Sequence, residues 1–312
     1  MVSIRLLENL PSNARRFANE MGAGIAGLYG LNTGTDLSVQ VLRGLRMYLE
    51  EPRIKLMGAF EDDALTALAM ASLRDQFAEV SYVHALPEAA ERGDDRLLLS
   101  KLIAHLREDC GVPGILAEFV PFYESDLTGT FADMGFKALD RELMVADAPL
   151  RGMARHISYP LLPGQFREAA ACLVAAYDGH PSRPLHREFH FEDDALDYVH
   201  RVEAGFYGPT TAEGMRYCRD GSGRMAAVIL STELLPKLGF VLQIATRPDC
   251  QNQGYGASLI HAVVKRFTGL GITRLSLGVS TNNPARELYR KLGYEKARPF
   301  TSHYWWREQE QP

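Results

Sequence analysis

Residues 251–256 read Gln251-Asn252-Gln253-Gly254-Tyr255-Gly256, with two glycines and no acidic side chain. An apolar run at 240–246 precedes them. After them Leu259, Ile260, Val263, Val264, Phe267 and Leu270 recur at helical spacing. A loop between a strand and a helix presents the first N–H groups of the helix, which have no partner inside it and stand at the positive end of its dipole. Glycine lets a ligand approach that backbone closely. The chemistry expected of the amides from Gln253 to Gly256 is therefore the binding of a diphosphate, with Asp249 turned to solvent.

The elements that must hold these groups follow from hydrophobic periodicity. Two β-like runs, 215–218 and 225–232, flank Asp220-Gly221-Ser222-Gly223 and predict a hairpin. The strand at 240–246 ends before Pro248, and Gly269 and Gly271 close the helix after the loop. Leu275, Leu277 and Val279 alternate with polar or small residues, as in a half-buried strand. Asn283 and Pro284 start a second helix. Its buried stripe is Ala285, Leu288, Tyr289 and Leu292, and Gly293 ends it. Residues 303–307 form a last strand.

The same order occurs upstream. Runs at 54–60 and 65–73 flank Glu61-Asp62-Asp63, and 80–86 leads into Pro87. A helix carries Leu98, Leu102, Ile103 and Leu106, and 115–120 is strand-like. Phe131-Ala132-Asp133-Met134-Gly135-Phe136 then matches Tyr289-Arg290-Lys291-Leu292-Gly293-Tyr294. The chain thus reads as one α+β unit written twice. Each copy has a mixed sheet flanked by helices, one over 1–150 and one over 151–312, with the join near Pro149 and Gly152.

Gln251-x-x-Gly254-x-Gly256, followed by Asn282-x-x-Ala285-x-x-Leu288-Tyr289-x-x-x-Gly293-Tyr294, resembles the paired motifs of the GNAT superfamily of N-acyltransferases. The resemblance is clear over 215–306, and the upstream repeat extends it over nearly the whole chain as a tandem protein. It implies acetyl-CoA or another acyl-CoA as co-substrate, no metal, and transfer of the acyl group to a primary amine by direct attack. The amine would belong to a small molecule, a peptide or a protein. It further implies a cofactor site of Ile244, Ala245, Thr246, Gln251, Asn252, Gln253, Gly254, Tyr255, Gly256 and Asn282, with strand amides near Ile244 to Thr246 bonding the pantetheine arm. One of these amides would polarise the thioester, and Tyr289 would stand as general acid. Arg286 and Arg290 are candidates for the cofactor phosphates, against ordinary surface charge. Glu233 and Gln243 lie near the acceptor in that layout, and 180–192 would cover it. A decarboxylase or hydrolase acting on acyl-CoA, or a non-catalytic CoA-binding scaffold, are the alternative readings.

In the N-terminal copy the loop becomes Ala90-Glu91-Arg92-Gly93-Asp94-Asp95, and Phe131 replaces Tyr289. Two carboxylates repel a diphosphate, and a phenyl ring has no proton to give, so this copy is expected not to catalyse. Other patterns carry less. Gly22-Ala23-Gly24-Ile25-Ala26-Gly27 spells a dinucleotide fingerprint, but no buried strand precedes it; it reads as a loop or helix junction. His186 and His190 would share a helix face, yet the prolines and charges around them read as an exposed loop rather than a metal site. In 303–306 alternation sends His303 and Trp305 to one face and Tyr304 and Trp306 to the other, one of them a candidate lining of the acceptor site.

The net charge of -5 makes nucleic acid an unlikely partner class. No apolar stretch approaches the length of a membrane span, and no secretory leader is evident. Four scattered cysteines read as free thiols of a cytoplasmic protein.

Overall fold

The computed structural model describes residues 2–30, 37–74, 76–118, 127–210, 214–235 and 237–307. The chain forms two compact units. The first comprises residues 1–140 and 300–312, the second residues 141–299.

In chain order the elements begin with β1 (Ser3–Leu6), α1 (Ala14–Tyr29), α2 (Ser38–Leu49), β2 (Ile54–Glu61), β3 (Ala64–Leu73) and β4 (Ala78–Ala85). Then come α3 (Pro87–Arg92), α4 (Asp94–Glu108), β5 (Gly114–Ala117), α5 (Thr128–Asp133), β6 (Lys137–Asp147) and β7 (Ser158–Pro160). Next are α6 (Phe166–Tyr177), α7 (Glu192–Glu203), β8 (Met215–Arg219), β9 (Met225–Leu235) and β10 (Leu238–Thr246). The last are α8 (Tyr255–Gly269), β11 (Arg274–Ser280), α9 (Ala285–Leu292) and β12 (Glu295–Trp306). Short 3-10 turns stand before α6, between α6 and α7, and before the 251–254 loop.

The first unit is an antiparallel run of β1, β2, β3 and β4, with β5 parallel to β4 and the end of β12 antiparallel to β5. The β2–β3 turn places Asp62 and Asp63 at φ 47 and 61, a left-handed geometry that suits a tight hairpin and that aspartate tolerates. Ala67, Ala69 and Ala71 on β3 are fully buried beneath the stripe Leu98, Leu99, Leu102, Ile103 and Leu106 of α4. Small residues on the strand let the helix pack close to the sheet. The strand expected at 115–120 ends at Ala117, and residues 119–120 lie outside the described set. Gly22 to Gly27 lie within α1, not in a loop or junction. In 303–306 the alternation holds: His303 stacks on Phe131 at 4.2 Å and Trp305 lies under Arg107, while Trp306 meets Phe77. All of these belong to the first unit.

The second unit repeats the order. β7, β8, β9 and β10 are antiparallel, β11 runs parallel to β10, and residues 141–147 of β6 close the sheet against β11. Leu259, Ile260, Val263, Val264 and Phe267 bury the inner face of α8. Phe166, Ala169, Ala170, Leu173 and Tyr177 of α6 pack with Ala195, Tyr198, Val199 and Val202 of α7 on the opposite face. The closing strands are exchanged relative to sequence order. The end of β6, which follows the upstream repeat, pairs in the second unit, and the end of β12 pairs in the first.

Each unit carries the same irregularity. In β10 the register slips between Val241 and Gln243, leaving Leu242 as an extra residue against β9. In β4 it slips across Ser81. Both bulges precede the matching prolines, Pro248 and Pro87, at the same spacing. A bulge bends and twists its strand away from the regular ladder.

Candidate active site

That bend opens a gap in the second sheet. β10 and β11 pair only from Leu238↔Arg274 to Val241↔Leu277, although β10 continues to Thr246 and β11 to Ser280. Beyond Val241 the two strands splay. On its other edge β10 stays paired with β9 as far as Thr246↔Ala227, and Arg247 N–H donates to Ala226 O at 2.9 Å. Main-chain groups alternate along an antiparallel strand. Those of Arg247 and Ala245 therefore face β9, and those of Ile244 and Thr246 face the splay. Ile244 and Thr246 are half-buried and have no ladder partner in β11, and main-chain groups so placed need a hydrogen-bond partner.

The 251–256 loop begins just beyond that strand. Asn252 (φ 60) and Gly254 (φ 92) adopt left-handed backbone, which turns the chain into α8 with Gly254 as its N-cap. Gln251, Asn252 and Gln253 are exposed; Gln253 Nε2 donates to Asp249 O at 3.0 Å. A Cβ on Gly256 would meet nothing closer than Leu288, Thr246 and Ile244, at 3.7 to 3.8 Å. The fold thus brings Ile244, Thr246 and Leu288 beside Gly256 at the first turn of α8, where an anion suits both the first N–H groups of the helix and its dipole. A diphosphate fits these residues.

Other expected members contribute differently. The Ala245 side chain faces the α6–α7 core and the Tyr255 ring is buried against His156, at 3.9 Å between centroids, so both can act only through main chain. Asp249 is tied to Arg247 rather than simply solvated; Arg247 also holds Asp220 at 2.6 Å, braiding the β8–β9 turn to the loop. Asn282 is exposed, and its neighbour Asn283 does the structural work. Asn283 Oδ1 accepts from Ala285 N–H at 2.8 Å, and its amide lies 3.2 Å from His180 Nε2. Arg286 and Arg290 are engaged within the unit. Arg286 forms a two-pronged pair with the buried carboxylate of Glu142, at 2.7 and 3.1 Å, and also donates to Thr281 O. Arg290 pairs with Glu287 and approaches Glu142, as does Lys296. Glu233 is half-buried at the end of the β9–β10 hairpin and accepts from Lys237 N–H.

Glu142→Ala removes the only acidic partner that Arg286 has among the described residues. Arg286, 21% exposed and still bonded to Thr281 O, then loses a charged two-pronged hydrogen bond, at a cost of about 2 kcal/mol. A urea melt should show a lower midpoint at unchanged slope; an unchanged midpoint would mean that this tie between β6 and α9 is dispensable.

Tyr289 is 5% exposed, and burial pushes its phenol up to about 12, partly opposed by the nearby Arg141 guanidinium. Arg141, on β6, is 7% exposed and donates to Gly278 O of β11 at 3.1 Å; burial lowers it to about 10. Tyr177 closes the other side, its hydroxyl donating to Gln243 Oε1 at 2.5 Å. The lips of the splay therefore carry a protonated phenol, a fixed cation and a tyrosine–glutamine pair.

Residues 180–190 are not an exposed loop. Ser182, Leu185, His186 and Phe189 are buried in or beside two short 3-10 turns rather than on one helix face. The segment folds over the end of β11, where Ser182 and Ser280 hydroxyls meet at 2.6 Å. His180 is pushed down to about 4, first by burial and then by His186 and Arg141, so it is neutral at physiological pH.

Tyr177, Arg141 and His156 had no motif to announce them. Tyr177 and Arg141 come from elements outside the two motifs. His156 holds the loop by its ring nitrogen, 2.8 Å from Gln253 O, while the backbone N–H groups of Arg155 and His156 donate to Ser258 Oγ.

The corresponding places in the first unit are filled. The loop there is the helical turn α3, and Asp94 and Asp95 are buried at the start of α4. Asp95 accepts from Arg96 N–H at 2.8 Å, and Asp94 is paired with Arg92. Phe131 is buried between Phe136 and His303.

Comparison with known proteins bears on the fold. Residues 217–306 match the model of the FR47-like protein family. No curated protein sequence matches the chain significantly. Among solved structures, the chain is similar to a GCN5-related N-acetyltransferase from Sphaerobacter thermophilus, at 15% identity and TM-score 0.70, over 100% of this chain and 96% of that one. A tandem GNAT protein from the clavulanic acid biosynthesis pathway matches at 13% identity and TM-score 0.55, over 98% and 99%. An acetyltransferase described as putative in Pyrococcus horikoshii matches at 12% and 0.58, over 100% and 91%. The chain therefore has the fold of tandem GNAT-type proteins.

Proposed function

We propose that the second unit is an acyl-CoA-dependent N-acyltransferase, with acetyl-CoA as the expected donor and a primary amine as acceptor. The observation that carries this reading is the coincidence of three features at one place: the splay between β10 and β11, the 251–256 loop at its open end, and Tyr289 beside it. The first-turn amides of α8 would hold the diphosphate. Ile244 and Thr246 amides would bond the pantetheine arm, and one of them would stabilise the carbonyl oxygen as charge develops on it. The acyl-CoA supplies the acyl group. The amine nitrogen forms the new C–N bond as the C–S bond breaks. Tyr289 gives its proton to the departing sulfur, and the nitrogen sheds its proton to water, from which Tyr289 is recharged. A buried phenol at about 12 keeps its proton until it is needed. The first unit, with its loop and acid position filled, would be non-catalytic.

Thermal stability with and without acetyl-CoA, then release of free thiol in the presence of an amine panel, tests this. A stability gain plus amine-dependent thiol release supports the transferase. Thiol release indifferent to amine would mean hydrolysis, and binding without thiol release would leave a scaffold or a decarboxylase, which keeps the thioester intact.

A further inference from the structure

One buried carboxylate in the second unit has no part in the chemistry above. Glu188 sits in the second of the two 3-10 turns that precede α7, its side chain 13% exposed. Its Oε1 is 3.4 Å from His186 Nδ1; its Oε2 is buried with no hydrogen-bond partner among the described residues. Around it the rings of Tyr177, His186, Phe189 and Tyr198 form a continuous wall. Tyr177 lies 5.0 Å from His186 and 4.7 Å from Phe189, and Phe189 lies 5.1 Å from Tyr198. The other charged or titratable groups facing it are His190, from the same segment, and Arg201 of α7. Arg201 is hydrogen-bonded to Tyr207 and makes no ion pair with Glu188 among the described residues. A carboxylate so placed is costly unless a cation meets it, and aromatic rings add attraction for one.

The wall leads back to the splay. The Tyr177 and Tyr198 hydroxyls both engage Gln243 of β10, so two tyrosine side chains separate Glu188 from the strand where the acyl carbonyl would lie. A single nitrogen cannot attack at the splay and also pair with Glu188. From this we infer that the acceptor carries a second positive charge, a distal ammonium received by Glu188 within the wall of rings. The substrate class is then a small diamine or polyamine rather than a monoamine or an amino acid. This inference rests on the transferase reading for the position of the reacting nitrogen, but the recognition it assigns can be measured without turnover.

The experiment compares butylamine, 4-aminobutyrate, 1,4-diaminobutane and 1,6-diaminohexane, in the wild type and in Glu188→Gln, which keeps the shape and removes the charge. Binding is measured by calorimetry with CoA present, and turnover by thiol release from acetyl-CoA. In the wild type at least one diamine should bind about tenfold or more tighter than butylamine, and 4-aminobutyrate should bind weakest. In Glu188→Gln the diamine should fall to the butylamine level, with butylamine itself and the acetyl-CoA stability gain unchanged. The Tm of the ligand-free variant should stay close to that of the wild type, because Glu188→Gln keeps the shape of the side chain, and this shows that the variant folds. Diamine binding lost in Glu188→Gln, but without turnover of any amine, would uphold the recognition and sink the transferase reading alone. Equal binding of butylamine and both diamines to the wild type, no binding of any diamine, or diamine binding untouched by Glu188→Gln would overturn the inference, whether or not acyl transfer occurs.

Discussion

Gly256→Asp is expected to abolish the stability gain that acetyl-CoA confers. A ligand that binds only the native state at about 100 times its dissociation constant adds about 2.7 kcal/mol, which moves Tm by several degrees in the wild type. The substitution copies Asp95, the residue at the matching place in the first unit. The fold should accept it. The Cβ finds only ordinary contacts at 3.7 to 3.8 Å, and Gly256 has no left-handed backbone to lose. Moreover, a carboxylate in the first turn of a helix complements its dipole, so the ligand-free variant should be as stable as the wild type or slightly more so. The same charge then occupies the place of the diphosphate and repels it. Paired melts of both proteins, with and without acetyl-CoA, decide the matter. A gain that persists in the variant would show that the cofactor does not use the first turn of α8.

Tyr289→Phe should lower kcat about 100-fold while leaving acetyl-CoA affinity within a factor of two. A positioned acid contributes on this scale or more, and the ring that fills the core is retained, as Phe131 shows in the matching helix of the first unit. The pH dependence gives a second reading. With the phenol pushed up to about 12, the acid stays protonated throughout the range in which the protein is handled. Loss of the Tyr289 proton should therefore add no alkaline fall to the wild-type kcat profile, and the profile of the variant should be parallel and lower. A kcat unchanged in Tyr289→Phe would assign this tyrosine to packing alone and leave protonation of the sulfur to water.

The two α+β repeats, the hairpins, both long helices and the 251–256 loop were legible because each rests on local rules. Alternation marks a strand, a 3.6-residue stripe marks a helix, and paired glycines before such a stripe mark an open N-terminus. Leu98, Leu102, Ile103 and Leu106, and Leu259, Ile260, Val263 and Val264, lie where that periodicity puts them. The segment at 180–190 misled for the opposite reason. Its prolines and charges look like surface, yet Ser182, His186 and Phe189 are buried because α6 and α7 fold the segment over the end of β11. Arg286 and Arg290 look like free cations until Glu142 is found beside them, a residue far upstream in β6.

What the chain carried in its local pattern, then, was the kinds of element, their order, and the two short motifs on which the proposed site rests. Three things came only from the assembled structure. The closing strands are exchanged, so that Arg141 and Glu142, which by sequence order belong to the first copy, serve the second unit. The bulge at Leu242 opens the β10–β11 gap. The set of Tyr177, Gln243, His186 and Glu188 is gathered from α6, β10 and the segment between α6 and α7. Hydrophobic period is a property of neighbours along the chain. Strand pairing, register and the burial of a charge are properties of residues that meet only after folding, and no local spacing encodes which of them will meet.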